Sequence, residues 1–196
     1  NKEIIKTSFI KKIFNKKFFY PKKIDLFSIF PVAEHRYISL KKNNLSFLSS
    51  MLRTKKTSST IMIIGQPFVE HKMISLEHYT RIIQTIKSDY KNHKLVYFPS
   101  RKELPKKINN LRKICNMDII KSVNNIEIHL LKNKFIPKKI IGFTSSALIT
   151  INTIFNSGSN LIDIRSLKVN FSNKRLSDKV ITRMYDTLYK HGINKY

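Results

Sequence analysis

The sequence predicts an α/β fold: a Rossmann-like, mostly parallel sheet flanked by helices. Two observations carry that reading. Short continuous apolar runs, IMIIG (61–65), KLVYF (94–98) and KIIGF (139–143), have the composition of strands buried on both faces. Between them stand segments whose apolar residues recur at helical spacing. Strands that alternate with helices form βαβ units, and such units place their strands in parallel.

Taken in chain order, the first 23 residues mix lysine with Ile and Phe, with Phe18, Phe19 and Tyr20 before Pro21, and read as an amphipathic surface helix or the tail of a missing domain ending at the proline. IDLFSIF (24–30) and RYISL (36–40) have strand composition, with Pro31 between them. Residues 41–60 read as a short helix followed by a Ser/Thr-rich loop. IMIIG is the first buried strand, and Ser75 can cap a helix carrying Tyr79, Ile82, Ile83, Ile86 and Tyr90 on one face. KLVYF is the next strand. ELPKKINNLRKIC (103–115) is the next helix, with Pro105 in its first turn. MDII (117–120) is a weak strand, and IEIHLLKN (126–133) fits strand or helix. KIIGF leads directly into TSSALITINTIF (144–155) as a helix, NLIDI (160–164) is a further strand, and Ser177 starts a last helix with Val180, Ile181, Met184, Tyr185 and Leu188 on one face. The expected division is a basic segment 1–23, a Rossmann-like domain 24–170, and a C-terminal helix within 171–196 that packs on it.

Composition bounds the function. The 196 residues include 38 Lys+Arg and 12 Asp+Glu, a formal charge of +26, while 41% hydrophobic residues suffice for a real core. A single cysteine, Cys115, excludes a disulfide framework and a cysteine-rich zinc module. No apolar run approaches the roughly 18–20 residues of a membrane span. The chain begins at Asn1 without a basic-then-apolar leader and reads as truncated or degenerate. Its lysines are spread over nearly every segment, which suggests composition bias more than a nucleic-acid patch. An anionic membrane surface attracts the same charge.

In parallel sheets ligands bind beyond the carboxyl ends of the strands. That rule selects Gly65-Gln66-Pro67-Phe68-Val69-Glu70, Pro99-Ser100-Arg101-Lys102, Glu127, and Thr144-Ser145-Ser146. The last places two hydroxyls at the positive end of a helix dipole, an arrangement suited to a phosphate, although a plain serine cap is the commoner use. Neither glycine-rich phosphate loop occurs among the four glycines. No HExxH or third ligand accompanies Glu34 and His35, so no metal site is expected.

IIGQPFVE (63–70), the helix opening ISLEHY (74–79), VYFPSRKE (96–103), IEIHLL (126–131) and IIGFTSSAL (140–148) resemble, in that order, the C-terminal half of bacterial GT-B sialyltransferases. The closest kinds are lipooligosaccharide sialyltransferases and polysialyltransferase-like capsule enzymes, and the resemblance covers roughly residues 24–167. It implies CMP-sialic acid as donor, a glycan acceptor, and no cofactor or metal. It assigns Ser145 and Ser146 to the donor phosphate, Glu127 to the ribose hydroxyls, and Gly65 and Gln66 to the donor pocket, with Gly65 beside the cytosine. Arg101 and Lys102 would neutralise phosphate charge. Glu70 would be the general base for the acceptor hydroxyl, with Glu77 as its alternative. Ser100 occupies the place of a family histidine that serves the leaving phosphate, and a serine supplies no proton near neutral pH. His71 is the nearest substitute by position, whereas His93 reads as a surface residue and His129 as structural. The implied setting is cytoplasmic and peripheral at the inner membrane, held by anionic lipid. A homodimer is one expected state, and no specific nucleic-acid partner is expected. The alternatives are a nucleotide-sugar-binding remnant without activity and a basic nucleic-acid-binding protein.

Overall fold

A computed structural model describes residues 23–30, 36–52, 55–156, 161–172 and 177–196. The expectation for the N-terminal segment before Lys23 lies outside the described residues. The chain divides into two compact units, Asn1–Asn43 and Asn44–Tyr196.

In the first unit, β1 (Ile24–Ser28) and β2 (Ile38–Lys42) pair in parallel from Ile24↔Ile38 to Ser28↔Lys42. Asp25 and Lys41 form a 2.9 Å ion pair across them. Both strands fall where the apolar runs place them. They form a two-stranded sheet of their own, whereas the sequence division groups them with the strands that follow.

The second unit runs α1 (Ser46–Ser50), β3 (Lys56–Ile64), α2 (Leu76–Asp89), β4 (Leu95–Phe98), α3 (Pro105–Ile114), β5 (Asp118–Ile119), α4 (Ile126–Lys132), β6 (Phe135–Gly142), α5 (Ser146–Asn156), β7 (Asp163–Ser166), α6 (Asp178–Lys190) and β8 (Asn194–Lys195). Six strands form one sheet in the order β5-β4-β3-β6-β7-β8, and every pairing is parallel. Counted within this sheet, the order is 3-2-1-4-5-6, that of the doubly wound dinucleotide-binding fold. Its order reverses between β3 and β6, which makes their carboxyl ends the expected ligand crevice.

Local chemistry explains most boundaries. The Ser75 hydroxyl accepts the His78 N–H at 3.0 Å and starts α2, which buries Tyr79, Ile83 and Ile86 at helical spacing. Pro105 begins α3, where its missing N–H costs nothing. The ambiguous 126–133 segment is a helix, because Asn125 caps the Ile128 N–H at 3.1 Å while Ile126, Leu130 and Leu131 turn inward together.

Three segments differ from expectation. Residues 56–60, expected as a loop, are the first half of β3 and pair with Phe135–Pro137 before a register shift between Ser58 and Ile61. Their exposure removes the apolar signature, and the pairing partner lies far along the chain. The strand expected at 160–164 lies at Asp163–Ser166, because the Asn156 carboxamide holds both main-chain groups of Ile162, at 2.8 and 3.1 Å. The C-terminal segment supplies a sixth strand as well as a helix: β8 pairs Asn194 with Arg165 at the sheet edge. A two-residue strand has too little text to be visible in sequence.

One core cluster joins the sheet to α2 and α3, where Ile63, Tyr79, Ile83, Ile86, Tyr97, Leu111, Ile141 and Phe143 are fully buried, and Leu148, Ile151, Ile154 and Phe155 of α5 are buried as well. Phe68 packs edge-on against Phe143 and Phe171, with ring centroids 5.5 and 5.1 Å away. That aromatic contact fastens the turn after β3 to the start of the loop after β6.

Candidate functional site

At the end of β3 the chain passes through Gly65 and Gln66, and a buried polar network forms beneath them. The Gln66 N–H donates to the Tyr79 hydroxyl at 3.3 Å, Tyr79 and Tyr97 hydroxyls are 2.8 Å apart, and Tyr97 donates to Glu103 Oε1 at 2.7 Å. Because Tyr97 spends its only hydrogen on Glu103, Tyr79 must donate to Tyr97. Lys107 Nζ completes the circuit, 2.6 Å from Glu103 Oε1 and 2.7 Å from the Gln66 carbonyl, with the Tyr79 ring face 3.5 Å below it. The circuit starts and ends on the main chain of Gln66.

Burial sets the electrostatics. It raises the Tyr79 and Tyr97 hydroxyls far above the ordinary tyrosine range, with Glu103 adding to both shifts and Tyr79 acting on Tyr97. Burial pulls the Lys107 ammonium down, while Glu103 and then Glu70 pull it back up. Gly65 has a packing reason to be glycine: a Cβ there would collide with the Glu103 carboxylate and the Tyr97 hydroxyl.

Gln66 reaches the other way with its side chain. Its Oε1 accepts the Thr144 N–H at 2.7 Å, and its Nε2 donates to Thr144 Oγ1 at 3.3 Å. This crossbar joins the carboxyl ends of β3 and β6 over the point where strand order reverses. Immediately beyond it the Ser145 hydroxyl accepts the Ala147 N–H at 3.3 Å, as a local cap for α5, while Ser146 is exposed at the first helical position. The two serines therefore differ: one hydroxyl supports the helix and the other faces solvent.

Glu70 sits in the turn after Gln66 and points back into the protein. Its Oε1 accepts the Leu104 N–H at 2.9 Å in front of α3. Its Oε2 is buried without a hydrogen-bond partner, 3.6 Å from Lys107 Nζ. Glu77 is exposed and paired with Arg81.

The turn after β4 is shaped by Glu103, whose Oε2 accepts the Ser100 N–H at 2.8 Å and whose N–H donates to the Ser100 carbonyl at 3.0 Å. Ser100 and Arg101 line a cavity of about 480 Å³ together with Arg112, Lys121 and Ser122. Glu127 is half-buried in the first turn of α4, where burial raises its carboxyl and the Arg101 charge lowers it. His129, on the same helix, packs edge-on against Phe98 at 5.1 Å, so the histidine expected to be structural adjoins the strand that leads into Ser100. His71 is exposed in the turn after β3, and His93 lies before β4, at the amino end of the parallel strands and away from the candidate site.

Gly65, Gln66, Glu70 and Ser100 thus meet through Glu103 and Lys107. Ser145 and Ser146 join them through the Gln66–Thr144 crossbar, and Arg101 links to Glu127 by charge. Glu103, Lys107, Tyr79 and Tyr97 were not singled out as site residues from sequence. The i,i+4 spacing of Glu103 and Lys107 on a predicted helix was the available signal, obscured by the abundance of lysine. Among the described residues, no three His, Cys, Asp or Glu side chains gather as metal ligands, and no helix is long and apolar enough to cross a membrane.

A doubly wound parallel sheet flanked by helices defines an α/β domain of the class whose switch point is the usual ligand crevice. The model of the alpha-2,8-polysialyltransferase (POLYST) family matches residues 2–161, and the chain belongs to that family. This agrees with the sialyltransferase resemblance in its broad form. No curated protein matches the chain.

Proposed function

We propose that the second unit is the nucleotide-sugar half of a GT-B sialyltransferase, and that it transfers sialic acid from CMP-sialic acid to a hydroxyl of a bacterial surface glycan. The observation that carries this reading is the crossbar: Gln66 holds Thr144 2.7 Å from its side-chain oxygen, directly ahead of Ser145, Ser146 and the N-terminus of α5. The donor phosphate would rest on Ser146 and that helix end. Glu127 would take the ribose hydroxyls, and Arg101 would add positive charge to the departing CMP. Membership of the polysialyltransferase family supports sialyl transfer generally.

In the transfer, the acceptor oxygen bonds to the anomeric carbon of sialic acid as the bond to the CMP phosphate breaks, with inversion. Glu70 would take the acceptor proton, which requires its side chain to turn out from beside Lys107. The bond electrons leave with the phosphate, whose charge the helix end and cations stabilise. Calorimetry with CMP tests the binding step. Binding that weakens in Ser145→Ala/Ser146→Ala supports the assignment, and an absence of CMP binding to the wild-type chain defeats it.

Two observations favour a second reading, CMP binding without transfer. Ser100 stands where the resemblance implies a histidine, and Glu70 faces inward onto Leu104 and Lys107. Radiolabel transfer from CMP-sialic acid to glycan acceptors separates the two. Turnover by the wild-type chain refutes the inactive reading, whereas turnover gained only on Ser100→His supports it.

A further inference from the structure

Lys107 is buried deeper than its chemistry favours. Its side chain is 2% exposed and that of Glu103 is 0% exposed. Removing two charges from water costs several kcal/mol each before their attraction offsets it, and apolar residues of the same shape often serve stability as well. A buried pair is therefore weak evidence for a role in stability alone. The position of this one is informative: it lies directly under the switch point, and a Lys107 donor that does not serve Glu103 goes to the main-chain carbonyl of Gln66 at 2.7 Å.

Gln66 is gripped at both of its main-chain polar groups. Its N–H ends the Tyr79–Tyr97–Glu103 chain of hydrogen bonds, and its carbonyl ends the Lys107 branch. Gly65 lets Glu103 come close enough to close the circuit, since any side chain there would displace the carboxylate. With the main chain held on both sides, the Gln66 carboxamide projects across to the end of β6. It meets Thr144 through both of its polar atoms: Oε1 accepts the Thr144 N–H, and Nε2 donates to Thr144 Oγ1.

We propose that Lys107, acting with Glu103, is a positioning residue: it fixes the Gln66 main chain and thereby sets the Gln66–Thr144 crossbar that shapes the turn into α5. Lys107 contacts the Gln66 carbonyl and works on that turn through Gln66. The consequence for nucleotide affinity rests on the function proposed above, whereas the structural coupling does not depend on it.

The test uses the full chain and two readouts. The first is hydrogen exchange at the Thr144 amide, which follows local opening of the crossbar. The main variant is the double substitution Glu103→Gln/Lys107→Met, which removes both charges of the closest pair, while the Glu70 carboxylate loses Lys107 as its neighbouring cation but keeps its hydrogen bond from the Leu104 N–H. Thr144 exchange is expected to quicken roughly tenfold, the scale of one net hydrogen bond, while the amides of Ile63 and Ile141 in the flanking strands remain protected. Gln66→Ala is expected to produce the same acceleration, and adding it to the double variant is expected to produce no more, because all three changes act on one link. Thr144 exchange at the wild-type rate in the folded double variant overturns the proposal, and so does a fully additive effect. Tyr97→Phe keeps the ring and cuts only the hydroxyl between Tyr79 and Glu103. It gives the same readout if the double variant fails to fold, with faster Thr144 exchange expected and an unchanged rate overturning the circuit.

The second readout is CMP affinity by calorimetry. A common loss of roughly tenfold in Gln66→Ala and in the double variant supports transmission to the ligand. Affinity unchanged in variants whose Thr144 exchange has quickened overturns that part. If the wild-type chain does not bind CMP, the proposed function fails while the exchange data still decide the coupling.

Discussion

Glu70 Oε2 lies 3.6 Å from Lys107 Nζ, buried and without a hydrogen bond, while the other oxygen of the same carboxylate accepts the Leu104 N–H at 2.9 Å. Half of this group supports α3 and half is unsatisfied. That division separates what the residue does for the fold from what it is proposed to do for chemistry.

Glu70→Gln is expected to retain the acceptor for Leu104 and to change stability by less than about 1 kcal/mol, since the contact with Lys107 is long. If the carboxylate is the base, transfer falls by about 10²–10⁴ with CMP affinity unchanged. Parallel denaturant and transfer measurements check this. Full turnover by the variant assigns the base elsewhere.

Gly65→Ala is expected to destabilise the fold by about 1–3 kcal/mol, because the added methyl meets the Glu103 carboxylate and Tyr97 hydroxyl in a closed interior. The variant should also disturb the crossbar, since Glu103 cannot shift without releasing Lys107. A urea midpoint equal to wild type contradicts the packing account.

The two serines before α5 are expected to separate. Ser145→Ala removes the acceptor for the Ala147 N–H and should cost about 0.5–2 kcal/mol of stability. Ser146→Ala removes an exposed hydroxyl and should leave the melting temperature within error while weakening CMP binding. Equal stability losses in both variants reject this division of roles.

Stability is expected to fall in mild acid through His129. Burial holds its imidazole below the ordinary value of 6.5, so the folded chain prefers the neutral ring. As pH drops through about 6.5 the unfolded chain takes up the proton first, and stability is lost from there down through the lower folded value. His129→Gln should flatten urea midpoints over that window, and an unaltered slope removes His129 as the cause.

Much of the fold was legible because its signals are local. Apolar runs marked the buried halves of β3, β4 and β6, and Ser75, Pro105 and Ser177 marked helix starts. The exposed half of β3 and the edge strand β8 were not legible, because their strand character comes from partners distant in sequence. The segments that follow β3, β4 and β6 lie at the carboxyl ends of those strands, as the apolar runs imply. Lys107 was hidden among many lysines until the fold showed it buried.

By itself the sequence determined the parallel α/β class, the family resemblance, and which loops follow the carboxyl ends of the central strands, since helical spacing, buried runs and short motifs are all written within a few residues. Only the tertiary structure decided that Glu70 turns inward, that Gly65 makes room for Glu103, and that Gln66 bridges to Thr144. Each of these joins residues tens of positions apart through directional hydrogen bonds or close packing in a low-dielectric interior, where geometry selects which polar groups meet.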